Sequence, residues 1–362
     1  MANKKDTIRI SDAKVIDLFC GIGGMTHGFI QSGFDVVAGI DNDQSCSYAF
    51  ETNNNAAFIH KDIADVSADE LNAAFGKTTI RVLIGCAPCQ PFSSMNSKKI
   101  RYKNNHVKWQ PLDEFARLIQ KVKPEIVSME NVRDLQYTKK YPVFERFLNT
   151  LNKCGYHVTF KIVNTARYGI PQKRHRLVLL ASRLGSISLI PETHPAGKEI
   201  TVRKAISRLR PIQDGEVDAK DPLHRASKLN DINKKRIIAT PHNGGSASDW
   251  SKELLPQCYQ KESGKSYMAS VYGRMRWDDA APTMTTHCIT LGAGRFGHPE
   301  QDRALSLREA ALIQTFPRRY KFFTNNKMSI NQIAKHIGNA VPVKLGEVIA
   351  TSIKQHLQQH SN

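Results

Sequence analysis

The sequence contains no run of about 18 apolar residues, the length a helix needs to cross a bilayer, so no membrane-spanning helix is expected. Its opening residues, Met1-Ala2-Asn3-Lys4-Lys5-Asp6, hold no apolar stretch, so no signal peptide is expected and a cytoplasmic location is. Acidic residues are scarce relative to basic ones: 33 Asp and Glu stand against 52 Lys and Arg, a formal net charge of +19. Such an excess disfavours cationic partners and points to a polyanion, most simply nucleic acid. Cysteine is sparse and unpaired in spacing, with seven in 362 residues, at positions 20, 46, 86, 89, 154, 258 and 288. Only Cys86 and Cys89 form a C-x-x-C. A structural zinc site would need a second ligand pair of similar spacing, and a zinc deaminase would need an H-x-E ahead of the C-x-x-C; neither pattern is present. A thioredoxin-type redox pair would open a helix where Pro91 and a polar stretch stand. No metal is expected. Internal repeats and low-complexity segments are also missing.

What is present is organised around Gly85-Cys86-Ala87-Pro88-Cys89-Gln90-Pro91-Phe92-Ser93. The apolar run Val82-Leu83-Ile84 leads into it and reads as a buried strand ending in a turn. Ligands bind at the carboxyl ends of strands in open α/β sheets, so Cys89 is offered where a substrate could reach it. Lys98, Lys99, Arg101, Lys103 and Lys108 follow with no acidic residue among them, as a loop able to close on phosphates would have.

Upstream, Lys14 to Phe19 reads as a first strand running into Cys20-Gly21-Ile22-Gly23-Gly24 and a helix from Met25 to Ile30. Glycines let a ligand approach the backbone, and a helix N-terminus offers N–H donors. A dinucleotide fingerprint would want Gly where Thr26 stands, which weakens a nicotinamide reading. A second strand, Asp35 to Ile40, ends at Asp41, and a third, from Ala57, ends at Asp62. Carboxylates there suit ribose hydroxyls and an adenine amino group; Asp43 is the better helix cap. Downstream, Leu112 to Val122 reads as an amphipathic helix. Pro124 to Met129 is a strand ending in Glu130-Asn131-Val132, so Cys89 and Glu130 share a crevice if their strands are neighbours. Arg174 and Arg176, two apart before the apolar run Leu177 to Leu180, point the same way on an extended segment.

From about residue 184 the strand–helix alternation gives way to turns rich in Gly, Pro, Ser and Asn, a composition suited to reading base edges. Regular structure resumes with the capped start Ser306-Leu307-Arg308-Glu309, a helix near Ile330 and a terminal helix after Pro342. These apolar faces are expected to fold back onto the first domain. The resulting scheme is residues 12–183, a loop-rich domain at 184–303, and a returning segment at 304–358.

Six blocks in order resemble the C5-cytosine-specific DNA methyltransferases of prokaryotic restriction–modification type. They are Asp17-Leu18-Phe19-Cys20-Gly21-Ile22-Gly23-Gly24, Pro88-Cys89-Gln90-Pro91-Phe92-Ser93, Glu130-Asn131-Val132, Gln172-Lys173-Arg174-His175-Arg176, the stretch from Arg308 to Pro317, and Ile337-Gly338-Asn339-Ala340-Val341-Pro342. The resemblance implies an α/β fold with a doubly wound, mostly parallel sheet, Rossmann-like, and a smaller target-recognition domain at 184–303. It implies S-adenosylmethionine as methyl donor, held by Phe19, Gly21, Ile22, Gly23, Gly24, Asp41, Asn42, Asp62, Ile63, Asn339 and Ala340. It implies Cys89 as nucleophile, with Glu130, Arg174 and Arg176 around a flipped cytosine, and Cys86 as packing only. The implied partners are double-stranded DNA and a cognate restriction endonuclease acting on the same site, with the chain a monomer. Asp41 replaces the family's usual Glu, His-Lys-Asp-Ile replaces its Gly-Asp-Ile, and Val343 stands where a second Pro is common. The related tRNA-methylating branch carries a Cys-Phe-Thr signature that is missing here, and an inactive DNA-binding scaffold would not need Cys89, Glu130 and Arg176 together.

Overall fold

The computed structural model describes residues 10–88, 106–259, 270–324 and 328–360. The apolar runs become strands β1 (Ala13–Leu18), β2 (Asp35–Asp41), β3 (Ala57–His60), β4 (Ile80–Gly85), β5 (Ile126–Val132), β6 (His157–Asn164), β7 (Gln172–Lys173) and β8 (His175–Ser182). All but β7 join one seven-stranded sheet in the order β3-β2-β1-β4-β5-β8-β6. Neighbours from β3 to β5 are parallel, whereas β8 runs antiparallel to both β5 and β6. Strands β1, β4 and β5 are buried almost throughout, which is why they read as near-continuous apolar runs rather than alternating ones. The chain steps outward from β1 to β3, then resumes on the other side of β1 at β4. That reversal opens a crevice at the carboxyl ends of β1 and β4.

The helices that cover this sheet are α1 (Gly24–Gln31), α2 (Ser47–Asn54), α3 (Ala68–Phe75), α4 (His106–Val122) and α5 (Pro142–Lys153). Ser67 and Glu70 form a reciprocal capping box that starts α3, and Pro142 opens α5 where its missing N–H costs nothing. Phe115, Leu118 and Ile119 of α4 and Phe144 and Phe147 of α5 share one core with Ile16, Leu83, Val127 and Leu179 of the sheet. Helix α4 starts well before the expected Leu112 and runs through Pro111, which cannot donate the usual backbone bond. The C-terminal helix Val343–Gln359 packs on α1. The two backbones approach so closely that a Cβ on Gly28 would stand 2.6 Å from the Glu347 nitrogen, and one on Gly346 would stand 2.7 Å from the Met25 oxygen.

The described chain forms two compact units. The first takes Met1–Asn164, His175–Glu192 and Val341–Asn362; the second takes Thr165–Arg174 and Thr193–Ala340. These divisions differ from the scheme 12–183, 184–303 and 304–358. Residues 304–340 pack within the second unit, and only the last stretch returns to the first. Polar bonds join the apolar burial of Leu307, Ala310, Ala311 and Ile313 in holding them there. In the helix Leu307–Ile313, Glu309 pairs with Arg303 and Arg308 with Asp221, all within the second unit. Likewise β7 leaves the main sheet and pairs in parallel with β11 (Ala281–Pro282).

Besides β7 and β11, the second unit's regular structure comprises α6 (Val202–Ile206), β9 (Val217–Asp218), β10 (Asp221–Arg225), α7 (Asp231–Ala239) and the helices Leu307–Ile313 and Ile330–Asn339. So little ladder leaves many carbonyls without strand or helix partners. Two fully buried arginines supply donors instead. Arg274 donates to the carbonyls of Ile237, Thr240, His298 and Gln301 and pairs with Asp302. Arg303 grips Glu309 with two bonds of 2.8 and 2.7 Å and donates to the carbonyls of Ile212 and Ala304.

Candidate active site

The sheet order sets the carboxyl ends of β3, β2, β1, β4 and β5 side by side. After β1 the backbone turns sharply: Phe19, Gly21 and Gly23 all take positive φ, of 59°, 50° and 81°. Phe19 is the only one with a side chain, and its ring packs edge-on against Phe115 at 6.3 Å between centroids. Asp41, ending β2, holds this turn through one carboxylate oxygen, which accepts from the Gly21 N–H at 2.9 Å, while its other oxygen accepts from the Asp43 N–H at 2.9 Å. A Cβ on Gly21 would meet nothing within 4 Å, so open space lies against this stretch of backbone. Ile22, Gly23 and Gly24 are buried, whereas Asn42 is exposed. Asp43 takes the capping role expected of it, accepting from the Ser45 N–H. Asp62 caps the short turn before Asp65 by accepting from the Ala64 N–H at 2.9 Å, and the Ile63 side chain is buried behind it.

Beneath the glycine turn, Asp17 is buried and accepts from the Thr26 hydroxyl at 2.6 Å. Burial pushes this carboxyl up to about 7; the Thr26 bond opposes the rise and Asp41 adds to it. Thr26, read from sequence only as a missing glycine, therefore ties the start of α1 to β1.

At the end of β4 the Cys86 N–H donates to the Leu18 carbonyl, and the Asn131 side chain donates to the Ala87 carbonyl at 3.1 Å. The turn before Pro88 is thus fastened on both sides. Cys89 and Lys98 to Lys103 lie outside the described residues; the backbone of Lys108 falls within α4.

Glu130, near the end of β5, is only 1% exposed. A carboxylate so buried needs a charge or donors beside it. In the antiparallel register Glu130 stands opposite Val178 and Val132 opposite Arg176, so Glu130 and Arg176 are diagonal neighbours. Arg176 Nε lies 3.2 Å from Glu130 Oε1, and the Cys86 thiol donates to Glu130 Oε2 at 2.9 Å. Cys86 therefore does more than pack.

Arg174 does not share a strand with Arg176, because β7 ends at Lys173 and β8 begins at His175. Arg174 is buried in the second unit, where it donates to the Met284 carbonyl at 3.1 Å. The expectation that the two arginines point the same way from one extended segment fails at this break. Asn339 and Ala340 also belong to the second unit: Asn339 ends the helix begun by Ile330, and the Ala340 carbonyl accepts from Gln314 at 2.9 Å. Gln314 in turn accepts from Gln172 at 2.7 Å, a buried amide link that fastens the 165–174 segment within that unit. Sequence reading assigned Gln314 no role.

Comparison with known proteins places this geometry. The family model described as C-5 cytosine-specific DNA methylase matches residues 13–355. The type II methylase M.HgiDII of Herpetosiphon aurantiacus is 51% identical over 344 residues, covering 95% of this chain and 96% of that protein. The type II methyltransferase M.XorII of Xanthomonas oryzae is 30% identical, covering 95% of this chain and 85% of its own length. Among solved structures, the Entamoeba histolytica methyltransferase EhMeth superposes with a TM-score of 0.63 at 16% identity, covering 95% of this chain and 98% of that one. No described helix is long and apolar enough to cross a membrane. The chain, with its seven-stranded sheet and the glycine turn, the turn before Pro88 and Glu130 at neighbouring strand ends, belongs to the C-5 cytosine-specific DNA methylase family and is a DNA (cytosine-5-)-methyltransferase.

Proposed function

We propose that this enzyme is the modification methylase of a type II restriction–modification system, methylating one cytosine within a short duplex site. The observation that carries its chemistry is the buried Glu130–Arg176 pair at the mouth of the sheet, next to the turn that leads into Cys89. Cytosine C5 is a poor nucleophile until a thiolate adds at C6. A free thiol, with a pKa of about 8.5, is mostly protonated at neutral pH, so the ring must be polarised as the thiol adds. Glu130 shares a proton with N3 and Arg176 donates to O2, spreading the charge that grows on the ring. Once C5 carries the methyl group, with the donor released as its thioether, loss of the C5 proton to a base would expel the Cys89 thiolate. For Arg174, its bond to the Met284 carbonyl supports a role in holding the recognition unit.

The family uses S-adenosylmethionine. When bound, it supplies an electrophilic sulfonium methyl group. The open space beside Gly21 and the carboxylates of Asp41 and Asp62 fit an adenosyl ligand, with Phe19, Ile22, Gly23, Gly24, Asn42 and Ile63 on the same strand ends; for Asn339 and Ala340 the support is the family resemblance alone. The proposed chemistry includes no metal. The substrate base must leave the stack to meet Cys89, so the cytosine is flipped from duplex DNA. The loop-rich 184–303 region supplies sequence recognition. The enzyme acts as a cytoplasmic monomer beside an endonuclease of the same specificity; the resemblance to M.HgiDII supports that pairing.

Purified protein is expected to transfer labelled methyl from S-adenosylmethionine to duplex DNA, and Cys89→Ser to abolish transfer. Transfer to tRNA alone would overturn the assignment. Bisulfite sequencing of a methylated plasmid identifies the target cytosine.

A further inference from the structure

We propose that Cys86 is a positioning residue for Glu130, a role that rests on the reading of Glu130 as the group facing cytosine N3. Glu130 is buried, and its two oxygens are held differently. Arg176 approaches Oε1 at 3.2 Å with a fixed positive charge, while the Cys86 thiol donates to Oε2 at 2.9 Å. Cys86 is itself fixed: its N–H is bonded to the Leu18 carbonyl at 3.3 Å, and the next carbonyl, of Ala87, is held by Asn131, the neighbour of Glu130. The thiol is thus anchored to β1 and β5 at once.

A thiol suits this place chemically. Its S–H is a weak donor and its sulfur a weak acceptor. It can donate to Glu130 as a carboxylate and accept from Glu130 as a carboxylic acid. A lysine or arginine there could do only the first, and would oppose the proton that Glu130 must share with the base. Cys86 therefore keeps the carboxyl plane aimed while leaving its proton free to shift toward the substrate. The contact acts on the step in which charge grows on the ring, so its loss appears in kcat and not in the KM for DNA or S-adenosylmethionine.

The test compares Cys86→Ala and Cys86→Ser in steady-state methyl transfer to duplex DNA, with thermal unfolding and S-adenosylmethionine binding measured on the same samples. Cys86→Ala is expected to lower kcat by about three- to tenfold, the loss of one hydrogen bond from a weak thiol donor, with both KM values within about twofold of the parent. Cys86→Ser keeps a hydroxyl that can donate and accept, and is expected to recover most of that rate. A space-filling role would instead leave the rate of Cys86→Ala intact, or make Ser as poor as Ala; either result overturns the proposal. If Cys86→Ala fails to fold, Cys86→Ser against Cys86→Val decides it, since Val fills the space without bonding and is expected to be slow. Glu130→Gln separates the two layers. Full activity in Glu130→Gln sinks the reading of Glu130 and Cys86 together. Collapse of Glu130→Gln beside a fast Cys86→Ala sinks the Cys86 role alone.

Discussion

The two units of this chain reach stability by different physics. The first buries apolar strands under amphipathic helices, and its core is a continuous set of Ile, Leu, Val and Phe side chains. The second also buries apolar side chains, such as Phe296, Leu305 and Phe316, but it has short strands and many turns, and Arg274 and Arg303 are fully buried within it, each donating to backbone carbonyls. Packing of the first kind tolerates exchange between apolar residues of similar volume. A buried ion does not, because removing either partner leaves the other desolvated and alone. A unit built this way can keep irregular loops in one shape without a large sheet beneath them, which suits a surface that must present particular side chains to base edges.

The sharpest way to break this contrast is Arg303→Met. Glu309 would be left buried without its cation, and about 3–5 kcal/mol of stability should be lost in denaturant unfolding. A loss no larger than that of an exposed charge would show that the second unit does not depend on its buried ions. The double change Arg303→Met with Glu309→Leu should recover much of the deficit. In the first unit the corresponding stress is steric. Gly28→Val should cost about 1–3 kcal/mol or more, because Val343, Gly346 and Glu347 backbone atoms occupy the space a side chain needs. Near-parental unfolding would mean the C-terminal helix can shift away from α1.

Acid distinguishes the units next. Burial would raise the Glu309 carboxyl, but the bonds and charge of Arg303, with His298, hold it down to about 2. Burial also lowers His298 to about 4, against the pull of Glu309. For both groups the unfolded chain binds more protons, so their stabilisation is complete above pH 6.5. It falls through 6.5 toward 4 as His298 is forced to remain neutral, then through 4.5 toward 2 as Glu309 is forced to remain charged. Asp17 in the first unit has the opposite sign. Its folded value of about 7 lies above the ordinary 3.8, so its contribution is greatest below 3.8 and is lost as pH rises to 7. Asp17→Asn should therefore gain in melting temperature relative to the parent as pH goes from 5 to 8, by a few degrees. A constant difference across that range would remove Asp17 from the account. The smallest effect is expected at an exposed pair: Asp113→Asn, which loses the bond to Arg146 across α4 and α5, should change stability by less than about 0.5 kcal/mol.

This contrast also explains what could be read from sequence. The strands β1, β2, β4 and β5 and their glycine or acidic ends were legible because buried strands are apolar runs and sites follow their carboxyl ends. Glu130 and Arg176 meet through a diagonal in an antiparallel register. The limits of the second unit were not legible, since they follow bonds such as Arg303–Glu309 and Gln172–Gln314 that have no period. The single-residue break between β7 and β8 sent Arg174 elsewhere, and no pattern in Gln172-Lys173-Arg174-His175-Arg176 announces it. The aim of Cys86 was hidden for a similar reason: past a strand end, side-chain direction no longer alternates. Cys89, on which the sequence reading turned, lies outside the described residues.

The pairing of β7 with β11 bears on protein engineering. The second unit is drawn from two separate stretches, Thr165–Arg174 and Thr193–Ala340, so it is not one removable cassette. A graft that exchanged only the longer stretch between relatives would discard β11 while leaving its mate β7 behind, and would strand Gln172 without Gln314. Recombinants designed to transplant sequence preference should carry the ten-residue stretch along with the long one.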